Sequence, residues 1–145
     1  MEMLWSNHLS VGNAIIDSEH RKLISFANDA IRAIETRDSS YMDMAFKQLE
    51  WTLSAHFESE VKIARAAGLD MSKLQLTHKH VLKELQLLRY ELVGTNGLWS
   101  ENAVDHHSHF LKNLLIDDHI IKLDMQMSPA LQTLGYQFRP DDEGC

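Results

Sequence analysis

Residues that break helices or cross-link a chain are scarce in this sequence. It contains six Gly, two Pro and one Cys among 145 residues. So few breakers argue against a fold of many short strands and turns, and they favour a few long helices. The single Cys145 cannot form an internal disulfide, so the reducing cytoplasm is the predicted location.

Long apolar runs and an excess of positive charge are also missing. No stretch approaches the roughly 18 apolar residues of a membrane span, and Met1 to Ser10 lacks the basic and apolar regions of a signal peptide. The formal net charge of −7 argues against nucleic acid or an anionic membrane as the main partner. Histidine, by contrast, is abundant, with nine residues.

Apolar residues recur at helical spacing in four segments that are separated by short breaks. The predicted helices cover about 18–36, 41–67, 70–93 and 100–124. Four such helices with short connections predict an all-α fold, an up-down-up-down four-helix bundle. The whole chain, 1–145, is then one domain, with an extended N-terminal arm (1–17), the bundle (about 18–124) and a short C-terminal tail (125–145).

Three of these helices carry ionisable side chains on faces that should be apolar. The segment "HFESE" places His56 and Glu60 at i and i+4, where side chains on a helix are neighbours. His20 is in line with the apolar stripe of the first helix. The segment "HIIKLD" contains His119 and Asp124 at i and i+5, which lie about 140° apart on a regular α-helix. That pair shares a site only if its members approach from different sides.

The third predicted helix contains two histidines one residue apart, in "LQLTHKH". Residues i and i+2 point about 200° apart on a helix, so only one of His78 and His80 can face a given site. The apolar stripe through Leu74, Val81 and Leu85 predicts His78 inside and His80 on the flank.

Each of these side chains has a simpler interpretation when it is taken alone. A core histidine is usually hydrogen-bonded structure, a His–Glu pair at i,i+4 can be a surface pair, and an Asp-rich run can be a solvated face. Together they favour a metal site, because burying so many ionisable groups without a metal would cost several kcal/mol each. Imidazole with carboxylate is the ligand set of non-haem iron, and manganese and zinc are competitors.

Other signatures of metal or nucleotide chemistry are absent from the sequence. It contains no C-x-x-C, no H-E-x-x-H, no G-x-G-x-x-G and no P-loop. A further histidine run, "DHHSHF", holds His106, His107 and His109. Adjacent residues cannot share a helix face, so this run is interpreted mainly as exposed.

The polar motifs resemble those of the hemerythrin family in its bacterial single-domain form. The segment "LWSNHLSVGNAIIDSEHRKLISFAND" is similar to the family's W…vG…iD-x-x-H…L…N opening. "HFESE" is similar to its H-F-x-x-E, and "HIIKLD" is similar to its H-I-x-x-x-D. The resemblance covers Leu4 to about Asp124, and the three motifs occur in the family's order.

The resemblance implies a bundle that holds two iron ions with an oxo or hydroxo bridge and binds O₂ reversibly. His20 and His56 would ligate the iron that takes O₂. Glu60 and Asp124 would bridge the two irons, and His119 would ligate the second.

The sequence departs from the family at the remaining ligands of the second iron. The family supplies them through H-x-x-x-H on the third helix, and here His78 matches the second histidine while Leu74 stands at the first. Three outcomes stay open: an exogenous group fills the vacancy, His80 rotates inward, or the second metal binds weakly. The last would leave a mononuclear or metal-free bundle.

The resemblance implies a small gaseous ligand, O₂ or else NO or peroxide, bound by a carrier, a store or a sensor with a separate signalling protein as its partner. One alternative is a diiron redox enzyme that acts on peroxide or NO. Another is a degenerate, metal-poor bundle that serves protein interaction. An oxygen-binding protein is favoured over an enzyme, because no extra acid–base residue lies in the inner stripes.

Overall fold

Regular structure in the computed structural model is entirely helical across the residues it describes, 3–95, 100–121 and 123–140. The α-helices are α1 (Ala14–Thr36), α2 (Ser39–Ala66), α3 (Met71–Gly94), α4 (Glu101–Lys112) and α5 (Ser128–Leu134). A π-helical stretch, Asn113–Ile121, follows α4 directly and is called the π segment below. Short 3-10 helices cover Asn7–Leu9 and Asp124–Met127. The all-α prediction is confirmed, and Cys145 lies outside the described residues.

Each of the four longer helices begins at a side chain that caps its free backbone N–H groups. The caps are Asn13, Asp38, Asp70 and Ser100. A cap of this kind stabilises a helix by about 1 kcal/mol. The prediction that the extended arm runs to residue 17 was wrong, because Asn13 accepts hydrogen bonds from Ile15 and Ile16 and starts α1 at Ala14.

The helix α2 ends in a left-handed turn at Gly68, whose φ is +76°. The Leu69 N–H donates to the Ala64 carbonyl at 3.0 Å, and the Gly68 N–H donates to the Arg65 carbonyl at 3.0 Å. This pair of bonds is the Schellman motif, which glycine favours because it has no Cβ to clash at positive φ. The chain therefore reverses between α2 and α3 over a few residues.

Two apolar clusters fill the interior. The large cluster includes Leu23 of α1, Leu53 of α2, Val81 of α3 and Leu115 of the π segment. The buried members of the small cluster are Val11, Ile16, Ile63, Ala64, Leu74, Leu123, Met127 and Leu131. Among the elements, α1 contacts α2 and α4, and α3 contacts α2 and the π segment.

The chain runs between these two clusters four times, in α1, in α2, in α3, and in α4 with the π segment, and each passage is called a crossing below. On every crossing, buried polar residues lie between the two clusters. The orders along the chain are Ile16, His20, Leu23; Leu53, His56, Ile63; Leu74, His78, Val81; and Leu115, His119, Leu123. The first and third crossings run from the small cluster to the large one, and the second and fourth run the opposite way. The fold thus brings one histidine from each crossing into a single polar layer.

The last crossing is not one regular helix. A single α-helix over 100–124 was predicted, and that prediction was wrong beyond Lys112, where the π segment replaces it. A π-helix closes i→i+5 hydrogen bonds and is rare, and it occurs often at functional sites. The wider turn changes the direction of His119 relative to the helix before it, so the α-helical angle between His119 and Asp124 no longer applies.

The arm and the tail are held against the start of α1 by buried polar side chains. Asp17 accepts hydrogen bonds from the Val11 N–H at 2.9 Å, the Ser10 hydroxyl at 2.5 Å and the Tyr136 hydroxyl at 3.1 Å. These contacts give Asp17 a structural role beside the polar layer. No helix among the described residues is both long and apolar enough to cross a membrane.

Candidate metal centre

Five ionisable side chains meet at one point in the polar layer. One ligand atom from each of His20, His56, Glu60, His119 and Asp124 lies within 4.8 Å of all the others. Every one of these residues is at most 1% exposed. The side chains come from α1, α2, the π segment and the 3-10 helix that follows it, so only the folded chain assembles the group.

The inward atoms are closely spaced. His20 Nε2 and His119 Nε2 lie 2.7 Å and 2.9 Å from the same oxygen, Asp124 Oδ2. His56 Nε2 lies 2.7 Å from Glu60 Oε2 and 3.2 Å from His119 Nε2. Three imidazoles therefore direct the same ring nitrogen, Nε2, towards two carboxylates. Imidazole nitrogen with carboxylate oxygen is the donor set of iron, manganese and zinc sites.

Several buried polar atoms of this group lack a hydrogen-bond partner among the described residues. They are His20 Nδ1, His119 Nδ1, Glu60 Oε2 and Asp124 Oδ1. Glu60 Oε2 is close to His56 Nε2 but is poorly aligned with it. A buried polar atom left unpaired costs about 1–3 kcal/mol. A bound cation would satisfy the unpaired carboxylate oxygens, so the residues present fit a metal ion.

Burial and charge shift the pKa values of the group in different directions. Burial lowers the pKa of His20 below its ordinary value, although Asp124 opposes the shift. For His56, burial also lowers the pKa, but the nearby carboxylates of Asp124, Glu19 and Glu60 outweigh it and hold the pKa well above the ordinary value. Burial would raise the pKa of Asp124, yet His119 and the other two imidazoles hold it well below the ordinary value. The raised pKa favours the protonated form of His56 in the metal-free protein, and a metal ion competes with that proton for the ring nitrogen.

His78 lies beside this group and is connected to it through Glu60. Its Nε2 is 3.0 Å from Glu60 Oε1, while the other oxygen of Glu60 faces His56. The His78 ring stacks on Phe57, with centroids 3.7 Å apart and planes 9° apart. The two oxygens of Glu60 therefore contact histidines on two different helices.

The structure places Leu74 one turn before His78 on the same buried face of α3. Leu74 is 4% exposed and belongs to the small apolar cluster, with Ile63 and Ala64 among its members. His80 is exposed and lies away from the polar layer. A packed aliphatic side chain thus occupies the position at which the resemblance implies a histidine.

Glu19 is the residue of this site that the sequence analysis missed. Its Oε1 lies 2.8 Å from His56 Nδ1, and its side chain is 24% exposed. The carboxylate fixes the outer nitrogen of His56, so that Nε2 points inward; metal-binding histidines commonly have such a partner. In the sequence, Glu19 is marked only as an ionisable residue next to His20. Its pairing with His56 could not be predicted, because the two residues lie on different helices.

The histidine run on α4 does not join the cluster. His106 and His109 are exposed, and His107 is half-buried. His109 Nδ1 lies 2.8 Å from the Asp105 carbonyl one turn earlier. His106 and His109 therefore lie on the outer surface of α4, and His107 lies at its edge.

No protein-family model matches this sequence, and no curated protein matches it at a significant level. The case for a metal centre therefore depends on side-chain geometry: five buried ligand atoms within 4.8 Å of one another.

Proposed function

We propose that the polar layer binds a pair of iron ions inside an up-down-up-down four-helix bundle, and that the protein binds O₂ reversibly as a hemerythrin-like carrier, store or sensor. The observation that carries the proposal is the group His20, His56, Glu60, His119 and Asp124. Its ligand atoms lie within 4.8 Å of one another in a buried site. A group so rich in buried ionisable side chains is costly unless a cation compensates it.

The path of the chain supports the bundle. Four consecutive crossings of the polar layer alternate in direction, as antiparallel neighbours joined by short connections do. Each crossing contributes one histidine, and carboxylates come from the second crossing and from the end of the fourth. This arrangement matches the way in which bundles build metal sites from side chains on facing helices.

The position of Glu60 supports two metal positions instead of one. One oxygen lies 2.7 Å from His56 Nε2 and the other lies 3.0 Å from His78 Nε2. A carboxylate with a group of three histidines on one side and His78 on the other is suited to bridge two ions. In this proposal His78 is the protein's ligand on the side of the second ion.

Iron bound here would supply a centre that changes oxidation state and has affinity for O₂. The chain's own contribution is to hold and enclose that centre. The two apolar clusters exclude water on both sides of the polar layer, and Glu19 and Phe57 fix the orientations of His56 and His78. A dry pocket strengthens the electrostatic interactions inside it and suppresses side reactions.

A single metal ion is the second candidate, and Leu74 favours it. The five clustered residues already supply as many ligands as one ion commonly needs, whereas His78 stands outside the group. Because Leu74 is packed in an apolar cluster, the second position has only His78 and shared carboxylates from the protein. Metal stoichiometry distinguishes the two candidates.

Metal titration of the chelator-treated protein tests the proposal. Wild type should take up ferrous iron tightly under anaerobic conditions, and its visible spectrum should change reversibly when O₂ is admitted and removed. His119→Ala should lose most of the affinity, while His109→Ala, which changes an exposed histidine on α4, should keep it. Equal affinity of the two variants, or no uptake by wild type, would contradict the proposal.

A further inference from the structure

Two grooves reach the polar layer from solvent, and they differ in charge. The first, of about 520 Å³, is lined by Phe57, Val61, Lys62, Arg65, His78 and Lys79. The second, of about 430 Å³, lies between α1 and α2 and has His56 in its wall. Its charged side chains, besides that histidine, are Glu19 and Lys22. The first groove is cationic at its mouth, whereas the charges of the second balance.

The cationic groove lies between α2 and α3. Lys62, Arg65 and Lys79 are exposed, and within the described part of the chain Glu58 is the one carboxylate that lines the groove with them. None of the three cations forms an ion pair among the described residues. Since the chain as a whole has a net charge of −7, three unpaired cations around one groove create a local field of opposite sign.

The inner end of this groove reaches the candidate metal centre. His78 is 5% exposed, lines the groove, and bonds through its Nε2 to Glu60 at 3.0 Å. Phe57, which stacks on His78, and Val61 form apolar parts of the wall. A ligand that enters here therefore passes the three cations first and arrives on the His78 side of Glu60.

We propose that the groove between α2 and α3 is an anion-binding entrance, which brings a small inorganic anion to the His78 side of the polar layer. The inference rests on the proposed function for its destination, the metal position with the fewest protein ligands. The cations attract the anion, and charge-lined clefts with low-dielectric walls raise association rates by about 10- to 1,000-fold. The apolar wall restricts the occupant to a size that the groove admits.

Sulfate binding to the metal-free protein tests the groove without any metal. Titration with sodium sulfate, followed by NMR, should shift the His78 ring and the backbone amides near Gln75, which also lines the groove, in a saturable way. The triple variant Lys62→Gln, Arg65→Gln, Lys79→Gln should lose these shifts. A control with the same change in net charge, Lys22→Gln, Lys83→Gln, Arg139→Gln, should keep them. Shifts that are equal in both variants, or spread over the whole surface, would overturn the proposal.

Azide binding to the iron-loaded protein tests the entrance itself. The rate of azide association, followed by the visible spectrum, should fall about tenfold in the groove variant and should lose most of its dependence on ionic strength. The control variant should match wild type in rate once the change in net charge is allowed for. It removes Lys22, the cation of the groove between α1 and α2, so it also tests whether azide enters by that groove. An unchanged rate of azide association in the groove variant would overturn the proposal that anions enter through this groove. If no iron is retained, the proposed function fails, while the sulfate titration still decides the groove.

Discussion

Replacing Leu74 with histidine should destabilise the metal-free protein and should strengthen the retention of metal by the loaded protein. Leu74 is 4% exposed, so the metal-free variant loses about 1.5–3 kcal/mol of apolar burial. An unpaired imidazole in the small apolar cluster costs about 1–3 kcal/mol more. The sum is about 2.5–6 kcal/mol, which lowers the Tm of a chain of this size by about 10–20 °C.

The metal-loaded variant should recover this loss. The new imidazole at position 74 would lie four residues before His78, so both rings would lie on the same face of α3. If it ligates the second ion, each tenfold gain in metal affinity offsets about 1.4 kcal/mol. We therefore expect slower release of iron to a chelator and a smaller difference in Tm from wild type.

The assay is thermal unfolding with and without iron, followed by the rate of iron loss to a competing chelator. Leu76→His is the matched control, because Leu76 lies on the same helix and is 71% exposed. It should leave both Tm values and the chelation rate unchanged. If Leu74→His is destabilised equally with and without iron and releases metal as fast as wild type, Leu74 does not face a metal position.

Glu19→Gln should weaken metal affinity about 10- to 100-fold, because it replaces the carboxylate that orients His56; equal affinity in a chelator competition would contradict that role. In the metal-free protein, the raised pKa of His56 gives stability that is complete below pH about 6.5 and is lost as the pH rises. Urea unfolding at pH 6 and pH 9 should show this loss, and a His56→Gln variant should reduce it. Gly12→Ala should destabilise the protein by about 1–2 kcal/mol, since the φ of Gly12 is +85° and a Cβ would lie 3.3 Å from Gln132 Cγ; Gly94→Ala, with open space around it, is the control.

The sequence predicted the helices well where local signals are strong. The caps at Asp38 and Asp70 and the turn at Gly68 lie at the predicted breaks, because short-range hydrogen bonds and positive φ are properties of a few neighbouring residues. The buried face of α3 follows from its apolar period for the same reason. Leu74 and His78 are both buried on that face, and His80 is exposed.

The fourth crossing could not be predicted from periodicity. The segment after Lys112 has helical composition, and nothing in its apolar pattern separates an α-helix from a π-helix. The i,i+5 spacing of His119 and Asp124 was the one local sign that a regular helix does not suit this stretch. In the structure, a π segment and a 3-10 helix replace the regular α-helix here. They bring His119 Nε2 and Asp124 Oδ2 to 2.9 Å from each other.

The contact between Glu19 and His56 also lay beyond the sequence. The two residues are 37 positions apart on different helices, and their pairing depends on how α1 rotates against α2. Periodicity assigns a residue to a face of its own helix, but it does not give the angle between two helices. The same limit applies to the cationic groove, whose members are contributed by α2 and α3.

The metal content of protein made in iron-replete cells, measured together with its visible spectrum, decides whether the polar layer holds a pair of iron ions. We expect about two irons per chain, as in di-iron carboxylate bundles, with the absorption of an oxo-bridged ferric pair, and a Tm that falls when a chelator removes the metal. One iron per chain would support the mononuclear candidate. Iron at background level, with the same Tm before and after chelation, would contradict the claim that the polar layer is a metal centre.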